Sequence, residues 1–315
     1  MAMTAIRRVT IVIPTLNGGA MLERVLDAVE AQDAPCEREL IAVDSGSTDS
    51  TVERLRARGA IVRQTSAGEF NHGETRNAAL AAASGDAAVL LVQDAVPASH
   101  DWLRKLIQPF AEPDIAGSFG RQRAMPDASR VTTHYLASWV AAQETPRVTG
   151  PLTTDALGAL DPLARHHLCA FDNVCSCVRL DVWRQHPFRR TPIAEDLRWA
   201  VDVMLGGYRL AYAPGAVVWH SHDRSVRYEL DRTYLVHQQL QQLFGLSTVP
   251  TAASLVLAVA RTLPLHVRLA ASEPRGRRAR ALMRNAGLAL ALPLGQYLGA
   301  RSAREGRELL SVGRV

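Results

Sequence analysis

The chain has 315 residues, 47% of them hydrophobic, so it can form one large α/β domain or two smaller ones. No segment has the composition of a disordered region, and four cysteines in a chain this long exclude a disulfide scaffold. The net charge of +5 is uneven, because residues 261–315 carry 11 arginines and 3 glutamates. That region is strongly basic, while the remainder is slightly acidic.

Strand and helix patterns alternate over the first 123 residues. Apolar runs predict strands, and apolar residues at helical spacing predict the helices that follow them. The predicted strands are 9–13, 40–43, 60–63, 87–92 and 115–123, and the predicted helices are 22–29, one ending near residue 58, 71–83 and 102–110. Alternating strands and helices with short links predict an α/β fold with a parallel sheet and right-handed crossovers.

The second half of the chain is less regular. Residues 125–167 are rich in Thr, Pro and Asp, and such a long excursion predicts a lid or a binding region. The elements predicted after it are a strand at 171–178, helices at 181–185 and 193–205, and strands at 208–212 and 216–220. We assign residues 1–248 to one α/β domain and 249–315 to a basic helical C-terminal extension.

The C-terminal extension combines leucine-rich runs with arginine. The runs 255–259 and 288–298 are shorter than a bilayer span, and Arg261 and Pro293 interrupt them. Arginine beside leucine-rich helices predicts a peripheral contact with the inner face of the cell membrane. The alternatives are a helical cap on the α/β domain or a dimer contact. We expect a cytoplasmic protein, since no signal-peptide pattern precedes the first strand, and no nucleic-acid partner.

Asp94 follows the apolar run 87–92 and precedes Pro97, which places it at the carboxyl end of a buried strand. Ligands bind at this edge of an open α/β sheet, and a carboxylate there suits a hard divalent cation that bridges a diphosphate. The alternative is that Asp94 caps a turn. The chain has neither GxGxxG after its first strand nor GxxxxGK[ST], which disfavours dinucleotide-binding and P-loop proteins.

Five short motifs follow one another along the predicted domain. They are IPTLN at 13–17, VDSGSTD at 43–49, GETRN at 73–77, QDA at 93–95 and ED at 195–196. Their order and spacing resemble the family 2 inverting glycosyltransferases of GT-A fold. FNHG at 70–73, together with QDA, is similar to bacterial rhamnosyltransferases within that family. The resemblance implies a Rossmann-like, mostly parallel sheet flanked by helices, as in nucleotide-diphospho-sugar transferases.

The same resemblance implies a site for the nucleotide-sugar donor. Pro14, Thr15 and Asp44 would line the nucleoside pocket, and Asp44 would accept a hydrogen bond from the pyrimidine or the ribose. Arg76 would contact the nucleotide or its phosphates, and His72 the donor sugar or phosphate. The alternatives are a turn-forming role for Asp44, a solvated helix arginine for Arg76, and no chemical role for His72.

A divalent cation, Mg²⁺ or Mn²⁺, is implied at Asp94. The family has two acidic residues spaced by one here, but the first is Gln93 in this chain, which leaves more of the coordination to the diphosphate and water. Gln93 is grouped with the donor-binding residues. His222, or less favourably His220, follows the last strand, where the family can supply another ligand. Alternate positions of an extended segment lie on the same side.

Asp196 is the candidate general base that takes the proton of the acceptor hydroxyl as it attacks the anomeric carbon. Glu195 has the same chemistry, so the choice between the two rests on the resemblance, and helix capping is the alternative role for both. Asp172 and Asn173 are placed near the acceptor. Attack opposite the leaving group would invert the anomeric centre, with the metal and an arginine stabilising the departing diphosphate.

The resulting prediction is an inverting glycosyltransferase that uses a nucleotide sugar and a divalent cation. The resemblance implies dTDP-L-rhamnose as donor and a bacterial cell-surface glycan, or its lipid-linked precursor, as acceptor. The alternatives are a transferase using a UDP- or GDP-sugar, a nucleotidyltransferase, and a non-catalytic sugar-nucleotide-binding scaffold. Residues 16–19 lack the basic residue that a nucleotidyltransferase usually has. Gln93 favours the scaffold, whereas Asp94 and Asp196 oppose it.

Overall fold

The computed structural model describes residues 6–65 and 71–307, which form two compact units. The first unit comprises the chain up to Arg123 with Trp139–Ala159 and Leu168–His220. The second comprises Ala124–Ser138, Leu160–His167 and the chain from Ser221 onward. Phe70 of the FNHG motif lies outside the described residues. The functional boundary after residue 248 stays a prediction.

Within the described ranges, the first unit contains one mixed sheet of nine strands. The strands are β1 (Arg8–Thr15), β2 (Glu37–Asp44), β3 (Ile61–Gln64), β4 (Ala87–Leu91), β5 (Val96–Pro97), β6 (Ile115–Arg123), β7 (Arg147–Thr149), β8 (Cys175–Arg179) and β9 (Arg209–Trp219). Their order is β3-β2-β1-β4-β8-β6-β9-β5, and β7 also pairs with β9.

Twelve α-helices occur in the same described ranges. They are α1 (Gly19–Glu30), α2 (Thr51–Ala57), α3 (His72–Leu80), α4 (Trp102–Ile107), α5 (Arg130–Ala137), α6 (Thr154–Ala159), α7 (Pro162–Leu168), α8 (Leu180–Gln185), α9 (Glu195–Leu205), α10 (Val226–Phe244), α11 (Ala252–Ala271) and α12 (Arg278–Arg304). Short 3-10 turns occupy Gln108–Ala111, Val140–Ala142 and Arg275–Arg277. The region 125–167 is therefore more regular than predicted, and its role as a lid or binding region stays a prediction.

The parallel part of the sheet is the part that the sequence predicts best. β1 pairs in parallel with β2 and β4, and β2 with β3. Strands covered on both faces are apolar throughout, and all five residues of β4 are buried. Helix α1 packs a stripe of Leu22, Val25, Leu26 and Val29 inward, which gives the helical spacing seen in the sequence. The α/β fold class is confirmed, and the sheet as a whole is mixed.

Strand β8 departs from the predicted parallel arrangement. It runs antiparallel to both β4 and β6, with Leu91 paired with Cys175. The start of β8 therefore lies at the same sheet edge as the end of β4, and the residues just before β8 reach the edge that carries Asp94. Because β6 is antiparallel to β8, the carboxyl end of β6 is also at this edge. The sheet thus gathers several chain segments at one place.

The two strands predicted at 208–212 and 216–220 are one strand, β9, so that prediction is wrong. β9 is interrupted by a bulge opposite β6, where the pairing shifts between Gly120 and Arg121. The bulge brings the Ala216 carbonyl so close that a Cβ atom on residue 120 would lie 2.4 Å from its oxygen. Glycine is the residue that fits there. Pro214 and Gly215 at the bulge gave the sequence its false turn signal.

The second unit is helical. Helix α12 packs against both α10 and α11, and α11 begins with a capping box formed by Thr251 and Ser254. Arg261 ends the apolar run 255–259 but lies inside α11, so the helix is longer than that run. By length and composition alone, Ala252–Ala271 could cross a bilayer, and a single such helix is weak evidence for a membrane span.

Candidate active site

The carboxyl ends of β1 and β2 bring Thr15 and Asp44 together, as predicted from their places after apolar runs. The two residues are paired in the sheet, and the Thr15 hydroxyl donates to Asp44 Oδ1 at 3.2 Å. The buried Asp44 carboxylate also accepts the backbone N–H groups of Gly46 and Ser47 at 3.1 and 2.9 Å. Pro14 precedes Thr15 on β1. Asp44 thus organises the loop after β2, and its contact with a nucleoside stays a prediction.

A cavity of about 500 Å³ opens beside these strand ends. Its walls come from β2, β3, the residue after β3 and the first half of α3. The lining residues are Val43, Arg63, Gln64, Thr65, Glu74, Thr75 and Ala78. A volume of this order suits a small-molecule ligand.

Gln93 braces the loop that follows β1. Its Oε1 accepts from the Leu16 N–H at 2.9 Å, and its Nε2 donates to the Leu16 carbonyl at 3.0 Å. An ionised carboxylate could make the first of these bonds but not the second, because it has no proton to donate. This pair of bonds gives a physical reason for an amide where the family pattern has an acid. Its role in donor binding stays a prediction.

Asp94, which follows Gln93, lies against His220 from the end of β9. The Asp94 Oδ1 atom is 3.5 Å from His220 Nε2. A carboxylate oxygen and an imidazole nitrogen at this distance can both bind one ion, since each bond to a small divalent cation is about 2.0–2.2 Å. His220, which the sequence ranked below His222, is thus one of the possible metal ligands. His222 lies two residues further along the chain, in the second unit.

Asp196 lies in the first turn of α9. Its Oδ2 accepts the Asn173 N–H at 3.3 Å, which ties it to the segment before β8 and so to the edge that carries Asp94. Burial raises the pKa of Asp196 to about 8, and the negative charges of Glu195 and Asp172 add to the effect. A carboxyl group with a pKa near the working pH can exchange a proton with a substrate. Such a shift is frequent at functional sites.

Glu195 has a different environment, which separates its chemistry from that of its neighbour. Its Oε1 is 2.7 Å from Arg76 Nη1, and both side chains are 6% exposed. Burial alone would raise the pKa of Glu195, but the Arg76 charge and the Asn173 amide hold it below its ordinary value. Glu195 is therefore an ionised partner in a buried pair, and Asp196 is the carboxyl able to take up a proton. The role of Asp196 as general base stays a prediction.

Arg76 and His72 lie one turn apart on α3. Arg76 Nη1 is 3.4 Å from His72 Nδ1, and burial lowers the pKa of His72, favouring the neutral ring. Arg76 also makes the buried hydrogen bond with Glu195, which lies 119 residues away in the chain. The predicted contacts of Arg76 and His72 with the donor stay predictions.

The geometry therefore places a possible metal pair, a carboxyl with a raised pKa and a cavity in one α/β unit. Residues 10–171 match the family model described as glycosyl transferase family 2. The chain belongs to glycosyl transferase family 2. It is a glycosyltransferase, as the sequence predicts.

Two curated relatives of this family 2 glycosyltransferase are O-antigen chain rhamnosyltransferases. RfbN of Salmonella typhimurium is 31% identical over 72% of this chain and 70% of its own length. WbaN of Salmonella anatum is 30% identical over 71% and 70%. Among solved structures, mannosyltransferase PcManGT from Pyrobaculum calidifontis, in complex with GDP-Man and Mn²⁺, is 19% identical with a TM-score of 0.62, covering 97% of this chain and 89% of its own. The predicted GT-A fold is confirmed.

The sequence did not single out Gln122, which this glycosyltransferase places beside His220. Gln122 lies on β6 and is buried, and its Oε1 is 2.9 Å from His220 Nδ1. Its Nε2 donates to Asp172 Oδ2 at 2.6 Å, so Asp172, placed near the acceptor from sequence, also contacts this network. The sequence signal that could have identified Gln122 is its position as a polar residue near the end of an otherwise buried strand.

Proposed function

We propose that this family 2 enzyme is an inverting glycosyltransferase that moves L-rhamnose from dTDP-L-rhamnose to a hydroxyl group of a cell-surface glycan or its lipid-linked precursor. The observation that carries the proposal is geometric: Asp196 accepts the Asn173 N–H before β8, at the same sheet edge as the Asp94–His220 pair. The two Salmonella relatives, both O-antigen chain rhamnosyltransferases, support the choice of rhamnose.

The nucleoside diphosphate is proposed to bind at the carboxyl ends of β1 and β2. Pro14, Thr15 and Asp44 would line the nucleoside site, and the adjoining cavity of about 500 Å³ supports this placement. His72, Arg76 and Gln93 are proposed on the donor side, with Gln93 acting through the loop that it braces.

The cofactor is proposed to be Mg²⁺ or Mn²⁺, held by Asp94 and His220, with His222 as a further ligand because it follows His220 after one residue. Oxygen and imidazole ligands fit such an ion. The complex of PcManGT with GDP-Man and Mn²⁺ supports the class of cofactor. When bound, the ion would neutralise charge on the diphosphate.

The proposed reaction is a single displacement. The acceptor oxygen forms a bond to the anomeric carbon while the bond from that carbon to the phosphate oxygen breaks, and the electron pair leaves with the nucleoside diphosphate. Asp196, in its ionised form, takes the proton of the acceptor hydroxyl. Attack opposite the leaving group inverts the anomeric centre. No covalent intermediate with the enzyme is required.

The first test measures which donor binds and is cleaved. The wild-type protein should bind dTDP-L-rhamnose and release dTDP from it with Mn²⁺, and EDTA should abolish the release. Asp94→Asn, which removes a proposed ligand charge, should weaken Mn²⁺ binding and lower turnover. The exposed Asp27→Asn is the matched control and should behave as the wild type, because the Asp27 side chain pairs with Arg58 on the side of α1 that faces away from the core.

The outcomes of this test separate the alternatives. Release from UDP-glucose, UDP-galactose or GDP-mannose alone would keep the glycosyltransferase and discard rhamnose. Binding of none of these sugar nucleotides would contradict the donor site proposed at Asp44. If the protein bound a sugar nucleotide but transferred the sugar to none of the acceptor preparations, the result would favour the non-catalytic scaffold.

The second unit is proposed to contact the inner face of the cell membrane, which would bring the enzyme to a lipid-linked acceptor. Helices α11 and α12 expose large apolar side chains, and arginines flank them. The exposed apolar residues include Val256, Leu257, Met283 and Leu290; the arginines are Arg261, Arg268, Arg275, Arg277, Arg278, Arg280 and Arg284. Apolar side chains with flanking arginine suit an anionic lipid surface.

Cosedimentation with lipid vesicles tests this contact. The protein should bind vesicles that contain phosphatidylglycerol, bind pure phosphatidylcholine much less, and be released by salt. Val256→Ser with Leu257→Ser should weaken binding. Val148→Ser, at an exposed valine of the first unit, is the control. Equal binding by all three proteins, or no binding by the wild type, would contradict the membrane contact.

A further inference from the structure

A buried amide links the proposed metal pair to a carboxylate that lies behind it. Gln122, on β6, has its Oε1 atom 2.9 Å from His220 Nδ1 and its Nε2 atom 2.6 Å from Asp172 Oδ2. His220 in turn presents Nε2 to Asp94 Oδ1 at 3.5 Å. Asp94, His220, Gln122 and Asp172 therefore form one continuous polar chain in the first unit.

The carboxylate of Asp172 decides which way the amide of Gln122 faces. Besides Gln122 Nε2, the indole N–H of Trp139 donates to Oδ2 at 2.8 Å and the Val174 N–H donates to Oδ1 at 3.0 Å. Three N–H groups directed at one carboxyl group fit its ionised, acceptor-only form. The two ends of an amide are distinguished by such partners, so the nitrogen of Gln122 must face Asp172 and the oxygen must face His220.

The orientation of Gln122 then decides the tautomer of His220. An amide oxygen only accepts, so Nδ1 of His220 has to carry the proton that is shared with it. In the neutral ring, Nε2 is then left with its lone pair on the side of Asp94. A lone pair and a carboxylate oxygen 3.5 Å apart repel each other unless a positive charge is bound there.

We propose that Gln122 is a positioning residue that, oriented by Asp172, holds His220 as the Nδ1–H tautomer and so presents Nε2 to the divalent cation shared with Asp94. The inference rests on the proposed cation site. A partner of this kind behind a metal-binding histidine orients the ring, and its loss typically weakens metal binding about 10- to 100-fold.

The experiment has two readouts that do not depend on the donor or on turnover. The protonation of the His220 ring nitrogens is measured by ¹⁵N NMR in metal-free protein at mildly alkaline pH, with assignment by His220→Gln. The affinity for Mn²⁺ alone is measured by the EPR signal of the free ion. The variants are Gln122→Leu, which removes both contacts, and Gln122→Glu. A carboxylate at position 122 loses the donation to Asp172 but can still accept from His220 Nδ1–H.

Gln32→Leu is the matched control. Gln32 is also a buried glutamine of the first unit with both amide atoms bonded, to Ala28, Ser99 and Leu103. Its loss should affect stability as the loss of Gln122 does, but should leave the His220 ring and Mn²⁺ binding unchanged.

The expected result is an Nδ1–H ring in the wild type, a shift toward Nε2–H in Gln122→Leu with about 10- to 100-fold weaker Mn²⁺ binding, and recovery toward wild type in Gln122→Glu. An Nε2–H ring in the wild type would overturn the proposal. So would a folded Gln122→Leu with an unchanged ring and unchanged Mn²⁺ affinity. Failure of the wild type to bind Mn²⁺ would overturn the cation site and this inference together, whereas a different donor sugar would overturn neither.

Discussion

Asp196→Asn should lower kcat for sugar transfer by about 100- to 10,000-fold, the usual contribution of a general base. The asparagine side chain is close in size, and its oxygen can still accept the Leu197 N–H that Asp196 Oδ1 accepts at 2.8 Å. It cannot take up the acceptor proton at any useful pH. Donor binding should change little, since the proposed nucleotide site is built on β1 and β2. Steady-state kinetics and equilibrium binding of the donor together measure the two effects.

The control for this variant lies on the same helix. Asp202 of α9 pairs with the exposed Arg189, so Asp202→Asn removes a carboxylate from α9 without touching the site. It should keep wild-type kcat. An Asp196→Asn protein that retains most of its kcat would remove Asp196 from the role of base.

The pH dependence follows from the same carboxyl group. The working base is the ionised form, so kcat/KM of the wild type should rise with pH until about 8 and then level off. Asp172→Asn removes a neighbouring negative charge, so the rise should move to lower pH. A carboxyl whose folded pKa is raised from 3.8 stabilises the fold below that value and loses this contribution as pH rises through about 8. Asp196→Asn should accordingly gain stability relative to the wild type as the pH rises from about 4 to about 8.

Much of the fold was accessible from sequence because β1, β2 and β4 are short apolar runs with polar residues at their ends. That pattern placed Thr15, Asp44 and Asp94 at one edge of the sheet before any coordinate was known. It did not explain why Asp172 and Asn173, which the sequence analysis placed near the acceptor, should lie at this edge. Asp172 and Asn173 reach that edge only because β8 is antiparallel to β4.

The pairings within the site depend on contacts distant in the chain. Arg76 meets Glu195 across 119 residues and Gln122 meets His220 across 98, and no local periodicity encodes either contact. The preference for His222 over His220 likewise could not be decided from two histidines that bracket one serine. Asp94, His220 and His222 are all possible ligands of one ion. β9, which ends just before His220, contains a bulge that sequence reasoning divided into two strands.

Arg76→Met should destabilise the fold by about 3–5 kcal/mol at neutral pH, the usual cost of breaking a buried ion pair on one side. The variant leaves Glu195 buried without its arginine partner, while the Asn173 amide still donates to its Oε1 at 3.1 Å. Removing the arginine charge takes away what holds the pKa of Glu195 below its ordinary value, so the pKa should rise. The destabilisation should then be larger at pH 8 than at pH 5, since protonation of Glu195 relieves the unpaired charge in acid.

Urea unfolding followed by circular dichroism at the two pH values measures the effect, and α3 offers its own control. Arg190 pairs with Glu74 of α3 in an exposed ion pair, so Arg190→Met should cost less than about 1 kcal/mol at either pH. Combining Arg76→Met with Glu195→Gln should recover part of the loss, because the second change removes the uncompensated charge. If Arg76→Met lowered the free energy of unfolding no more than Arg190→Met does, the Arg76–Glu195 pair would not stabilise the fold. The role of Arg76 would then be to bind the nucleotide phosphates.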